Sequence, residues 1–172
     1  MRAIGKNSIS SILAYVLHAA RIIIWIGCVG LAIAVVMIPF AGGLLAWLQT
    51  FDNININGGI DVDGGDYLEI ANHFITFLVL LFVVNRLLEI LKTLRFGAPF
   101  EKENADRFRS VGYALLIGEA AKFAFGFLSI FIDAEIAVNV ELTSIAAILS
   151  VFVLSEVFLE GARMKEEQDL TV

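Results

Sequence analysis

Apolar residues fall into four long blocks along the chain, and charged residues are gathered into the gaps between them. The first block, residues 22–38, contains no charge and is bounded by Arg21 and Pro39. With residues 15–20 added it is long enough to cross a ~30 Å hydrocarbon core. The same reading gives spans at about 15–38, 70–91, 111–132 and 143–159. Ahead of the first span, Arg2 and Lys6 are followed by Ile9, Ile12, Leu13, Val16 and Leu17. That spacing predicts an amphipathic helix at a membrane surface or running straight into the span. A cleaved signal peptide is not expected, because the region before Arg21 is too long and Ile38-Pro39-Phe40-Ala41 makes a poor cleavage site.

Between the blocks the pattern changes. Pro39 and Gly42-Gly43 break the first helix, and Trp47 marks an interfacial piece. Residues 53–63 alternate polar and apolar on both sides of Asn57-Gly58, which predicts a β-hairpin. Residues 135–142 alternate again, with Ile136, Val138, Val140 and Leu142 on one face, and predict a third strand. Residues 92–110 read differently, as a tight corner. Gly97 can end one helix in a left-handed cap, and Pro99 suits the first turn of the next. Glu101 and Glu103 then fall in a first turn, where the helix dipole favours acids. A polar tail, residues 160–172, is expected to be helical at first and then to fray. The expected fold is a single all-α membrane bundle, residues 1–172. It has four transmembrane helices and a small extracytoplasmic β-sheet of about three strands.

Composition agrees with that class. The chain of 172 residues is 59% apolar and only 17% charged, above the roughly 45–50% apolar usual for soluble domains. The net charge of −6 matters less than where the charges lie. Arg2 and Lys6, then Arg86, Lys92, Arg95, Lys102, Arg107 and Arg109, then Arg163 and Lys165 all fall on one side of the predicted topology. The loops at 40–69 and 133–142 hold no Lys or Arg. Basic residues stay on the cytoplasmic side, so both termini and the corner are expected inside and the two loops outside. The outer loops are acidic. Asp61, Asp63, Asp66 and Glu69 offer hard oxygen ligands for a cation, but their spacing does not fit an EF-hand. They are read as solvated acids, and no metal or other cofactor is expected.

Charges within the spans are more informative, since each costs several kcal/mol unless paired or hydrated. Glu119 and Lys122 lie roughly 12 and 16 Å from the inner end of the third span at 1.5 Å per residue. Their spacing of three lets them pair on one helix face. Ala114, Gly118 and Gly126 share that face and allow a close helix approach, so Lys122 is expected to point into the bundle. Arg21, Arg86, Glu89 and Glu156 lie near the inner end. An inner network is expected, with Arg21 or Arg86 facing Glu156 or Glu119. It fixes helix rotation, or else carries a proton or cation path. His18 and His73 fall at opposite ends of their spans, which argues against a two-histidine haem site. Catalytic and phosphate-binding motifs are missing from the sequence, and the single cysteine, Cys28, reads as a small buried residue. Acids interrupt the basic corner, so direct nucleic-acid binding is not expected.

Two stretches carry a resemblance. Residues 97–112, from Gly97-Ala98-Pro99-Phe100 through Asn104, Arg107-Phe108-Arg109 and Gly112, fit the pattern G-x-P-F-x-x-x-N-x-x-R-[LF]-R-x-x-G. Residues 155–172 fit A-E-V-F-x-x-G-x-x-L-x-x-E-x-x-L-T-V, with Ser155 and Met164 in place of Ala and Leu. Both resemble the DUF2975 family of bacterial integral membrane proteins, a family without an established activity. The resemblance implies a multi-pass protein of the bacterial cytoplasmic membrane, and a membrane partner for a small helix-turn-helix regulator. Phe100, Asn104, Phe108, Val111 and Leu115 form one stripe at spacings of three and four. Asn104 is placed to bond free carbonyls near Gly97. The corner residues Gly97, Pro99, Phe100, Asn104, Arg107, Phe108 and Arg109 are therefore the expected docking surface for the tail or a cytoplasmic partner. The expectation is a non-enzymatic scaffold or regulator, with a small proton- or cation-coupled transporter or channel using Glu119 and Lys122 as the alternative. Four spans leave little room for a private pore, so a homo-oligomer is also plausible.

Overall fold

Pro39 sits where the first helix stops. In the computed structural model, which describes residues 9–40, 43, 64–96, 99–132 and 141–170, helix α1 covers Ile9–Met37 and passes into a 3-10 turn at Ile38–Phe40. Helix α2 covers Gly64–Arg95, the longest at 32 residues. Helix α3 covers Lys102–Ser129 and also ends in a 3-10 turn, Ile130–Ile132. Helix α4 covers Leu142–Asp169. All four are long and apolar enough to cross a membrane. At 1.5 Å per residue α2 is about 48 Å long, well beyond a ~30 Å hydrocarbon core, so its ends stand outside the apolar layer.

The exposed surface fits that environment. Large apolar side chains on every helix face outward, among them Ile23, Leu78, Ile117 and Val153. In water such a surface would cause aggregation; against lipid it is matched. The helices pack in chain order, α1 on α2, α2 on α3 and α3 on α4, with no comparably close pairing between α1 and α4. Glycines set the approach. An added Cβ on Gly27 would meet Phe77 at 2.7 Å, on Gly118 would meet Val79 at 3.3 Å, and on Gly112 would meet Phe152 at 2.8 Å. Each is a notch on one helix filled by a side chain of the next. The buried apolar core lies mostly toward the corner end, in Val84, Ile90 and Leu91 of α2 and Ala105 and Val111 of α3.

The expected outer β-sheet is corrected. No strand occurs among the described residues, which are helical apart from short connections. Residues 53–63 and most of 135–142 lie outside the described residues. The two described residues of the expected third strand are helical in role: Glu141 is the N-cap of α4 and Leu142 its first residue. On the other side, residues 64–69, expected in a loop, open α2. Asp66 stands in that first turn, where the positive end of the helix dipole favours an acid. The local cue for a turn, Gly64-Gly65, lost to helix propagation from the apolar block behind it.

The corner also departs from expectation in detail. Pro99 and Phe100 stay outside α3, and Glu101 is its N-cap rather than a first-turn residue. Only Glu103 stands in the first turn. The tail is helical through Asp169, and residues 171–172 lie outside the described residues.

Candidate functional site

The corner end of the bundle is built around Asn104, in the first turn of α3. Its side chain is 0% exposed. Its Nδ2 donates to the Pro99 carbonyl at 2.9 Å, closing the turn that leads into the helix. Its Oδ1 accepts from the Arg107 guanidinium at 2.7 Å, and the Thr93 hydroxyl of α2 lies 2.9 Å away. These neighbours fix the orientation of the amide, because a guanidinium can only donate and a carbonyl can only accept. A buried amide with each side satisfied costs little, and a partly satisfied one costs a great deal.

From Asn104 the contacts run across to α2. Arg107 reaches Glu89 through Nε at 3.3 Å, and Arg86 donates to the same Glu89 oxygen at 2.8 Å. The Arg86 guanidinium also lies 5.0 Å from the centre of the Phe82 ring. Two cations thus share one carboxylate. The group carries net positive charge and ties the end of α2 to the start of α3.

A second set of contacts joins α3 to α4. Ser155, 0% exposed, donates its hydroxyl hydrogen to the Ala105 carbonyl at 2.9 Å. One residue on, Glu156 accepts from Arg109 at 2.9 Å at the bundle surface. The Phe158 ring packs between Phe108, with centroids 4.9 Å apart, and Phe100, at 5.7 Å. Gly161 lies beneath Phe100, and a Cβ there would come within 2.5 Å of the ring. α4 then continues past this contact as a charged, exposed helix carrying Arg163, Lys165, Glu166 and Glu167.

The family model described as "Protein of unknown function (DUF2975)" matches residues 31–172. The chain belongs to the DUF2975 family. No curated protein and no solved structure matches it. The two stretches that carried the sequence resemblance to DUF2975 are the two halves of this junction: Pro99, Phe100, Asn104, Phe108 and Arg109 on one side, Ser155, Glu156, Phe158 and Gly161 on the other. The family match begins late in α1, so residues 9–30 of that helix precede it.

The other expected residues fall elsewhere. The expected pairing of Arg21 or Arg86 with Glu156 or Glu119 does not occur: Arg86 pairs with Glu89, Glu156 with Arg109, and Glu119 with Lys122 at 3.0 Å. Arg21 forms no ion pair among the described residues and lines a cleft against α2 instead. Lys122 is not enclosed; its side chain is 43% exposed and its ion-pair partner is on its own helix. Gly97, Asp61 and Asp63 lie outside the described residues. Asp66 and Glu69 are on α2, where Glu69 lies 3.6 Å from His73, and no group of three potential metal ligands occurs among the described residues. Sequence reasoning gave no role to Thr93, Ser155, Phe158 or Gly161. A signal was present for Gly161, since a glycine inside a helix costs ~1 kcal/mol relative to alanine and so calls for a packing reason.

Proposed function

We propose that this DUF2975 protein is a non-enzymatic membrane scaffold or regulator that presents its corner and tail to a cytoplasmic partner. The observation that carries this reading is the junction around Asn104 and Ser155. The most completely buried polar side chains in the described chain lie at one end of the bundle. Asn104 ties the start of α3 to α2 and to the turn at Pro99, and Ser155 ties the middle of α4 to the start of α3. A protein that only needed to span a bilayer has little use for such an end, whereas a docking platform needs fixed geometry. The free length of α4 beyond Gly161 supplies the exposed charged surface. A small helix-turn-helix regulator is the class of partner that the family resemblance implies. The distribution of Lys and Arg supports a bacterial cytoplasmic membrane location with both termini and the corner inside.

The test is co-purification from native membranes with full-length protein, compared with Asn104→Leu and with a chain ending at Glu160. The expected result is a specific partner held by the full-length protein and lost from both variants. Retention of nothing beyond what an unrelated membrane protein retains would overturn the proposal. The alternative, ion passage by Glu119 and Lys122, has less in its favour. Those two residues pair within α3 and make no polar contact with another helix among the described residues.

A further inference from the structure

A cavity of about 780 Å³ opens between the corner ends of α1 and α2. His18 and Arg21 of α1 line it on one side, and Asn85, Glu89, Lys92 and Arg95 of α2 on the other. The charges do not cancel. Glu89 is already engaged by Arg86 and Arg107. Arg21, Lys92 and Arg95 form no ion pair among the described residues. Three cations with no carboxylate of their own therefore face one space. Lys92 and Arg95 stand in the last turn of α2, where the helix dipole alone favours them. Arg21 comes from the other helix, well inside it, and the dipole gives no reason for its place.

The cleft has an apolar extension. It continues onto an open face of α1 made by Ile22, Trp25, Ile26 and Val29, each more than half exposed, which shares His18 and Arg21 with the cleft. Arg21, Trp25 and Val29 are four apart, so a single helix stripe passes from cation to indole to aliphatic groups. Trp25 lies about 6 Å further into the bundle than Arg21 at 1.5 Å per residue. This is the vertical order of a phospholipid: phosphate, interfacial region, acyl chain. Guanidinium groups suit phosphate because their donors match its oxygens in pairs, and tryptophan suits the interfacial level.

We propose that this cleft binds an anionic phospholipid, with its headgroup held by Arg21, Lys92 and Arg95 and one acyl chain lying along Ile22, Trp25, Ile26 and Val29. A free phosphate would satisfy the cations and leave the apolar extension unused. A neutral lipid would use the extension and leave the cations unpaired. Only a ligand with both parts uses the whole site. The site adjoins the junction at Glu89, and its α1 side, Arg21 included, precedes the region matched by the DUF2975 model.

The test uses the full chain with Trp47→Phe, which leaves Trp25 as the sole tryptophan of the two. The protein is reconstituted in phosphatidylcholine vesicles containing a minor fraction of acyl-brominated lipid, either phosphatidylglycerol or phosphatidylcholine. Bromine quenches the indole on contact, so the ratio of the two quenching curves reports headgroup preference at Trp25. The expected result is a preference of about tenfold for phosphatidylglycerol, equivalent to about 1.4 kcal/mol. Arg21→Gln combined with Arg95→Gln should bring the ratio close to one while leaving quenching by brominated phosphatidylcholine unchanged. Arg163→Gln, in the exposed tail, should leave the preference intact. Equal quenching in the parent protein overturns the proposal without reference to any variant. A preference that survives the double substitution overturns the assignment of the headgroup to these arginines. Reversal by millimolar glycerol phosphate would show a site for free phosphate instead and would also overturn it.

Discussion

The corner–tail junction and the Glu119–Lys122 pair both place polar groups in an apolar bundle, yet they are built in opposite ways. At the junction four polar contacts cross from one element to another: Thr93 to Asn104, Arg107 to Glu89, Ser155 to Ala105 and Arg109 to Glu156. In mid-span, Glu119 and Lys122 meet only each other, three residues apart on one helix. The first arrangement fixes how α2, α3 and α4 sit relative to one another. The second neutralises a charge and fixes nothing between helices. The charged pair inside the span therefore fixes less of the helix arrangement than the buried neutral residues at the bundle's end.

Unfolding measurements in mixed micelles can break this comparison. Asn104→Leu should have the largest effect, a loss of about 3 kcal/mol, since it strips partners from buried polar groups and breaks a charge-assisted bond. Gly161→Leu should follow with a loss of about 2 kcal/mol, the usual cost of overpacking a close contact. Its expected signature is that the chain end beyond residue 161 becomes sensitive to protease while the spans remain protected. Arg109→Gln should cost less than about 1 kcal/mol, because its pair with Glu156 is at the surface. The joint replacement Glu119→Gln with Lys122→Leu should be smallest, within about 1 kcal/mol of zero and of either sign, since removing both members of a poorly enclosed pair often costs nothing. A larger loss there than at Asn104 would reverse the ranking.

Hydropathy made the spans legible because a ~30 Å apolar layer demands long uncharged blocks. The break between α2 and α3 was legible because proline acts locally. The partner choices were not. Arg21, Arg86, Arg107 and Arg109 all lie toward one end of the bundle, and which of them meets Glu156 depends on helix rotation and on the order of neighbours. No residue pattern within one helix encodes that. The order α1–α2–α3–α4 puts α4 beside α3, so Arg109 is within reach of Glu156 while Arg21 faces α2. The start of α2 was missed for a different reason. Gly64, Gly65 and Asp66 have the composition of a turn, and the helix extends through them because an acid in its first turn is favoured. Ser155 and Gly161 were present in the resembling tail pattern, but their part in the packing depends on Ala105 and Phe100, which lie far away in sequence.

The central claim is that the junction holds the end of α4 in one position relative to the start of α3. Pulsed electron-spin distance measurement tests this directly, with labels at Lys102→Cys and Lys165→Cys in a Cys28→Ala background, reconstituted in lipid nanodiscs. The account predicts a single narrow distance distribution that broadens when Asn104→Leu is added. A broad distribution in the otherwise intact protein would show a loose tail and contradict it.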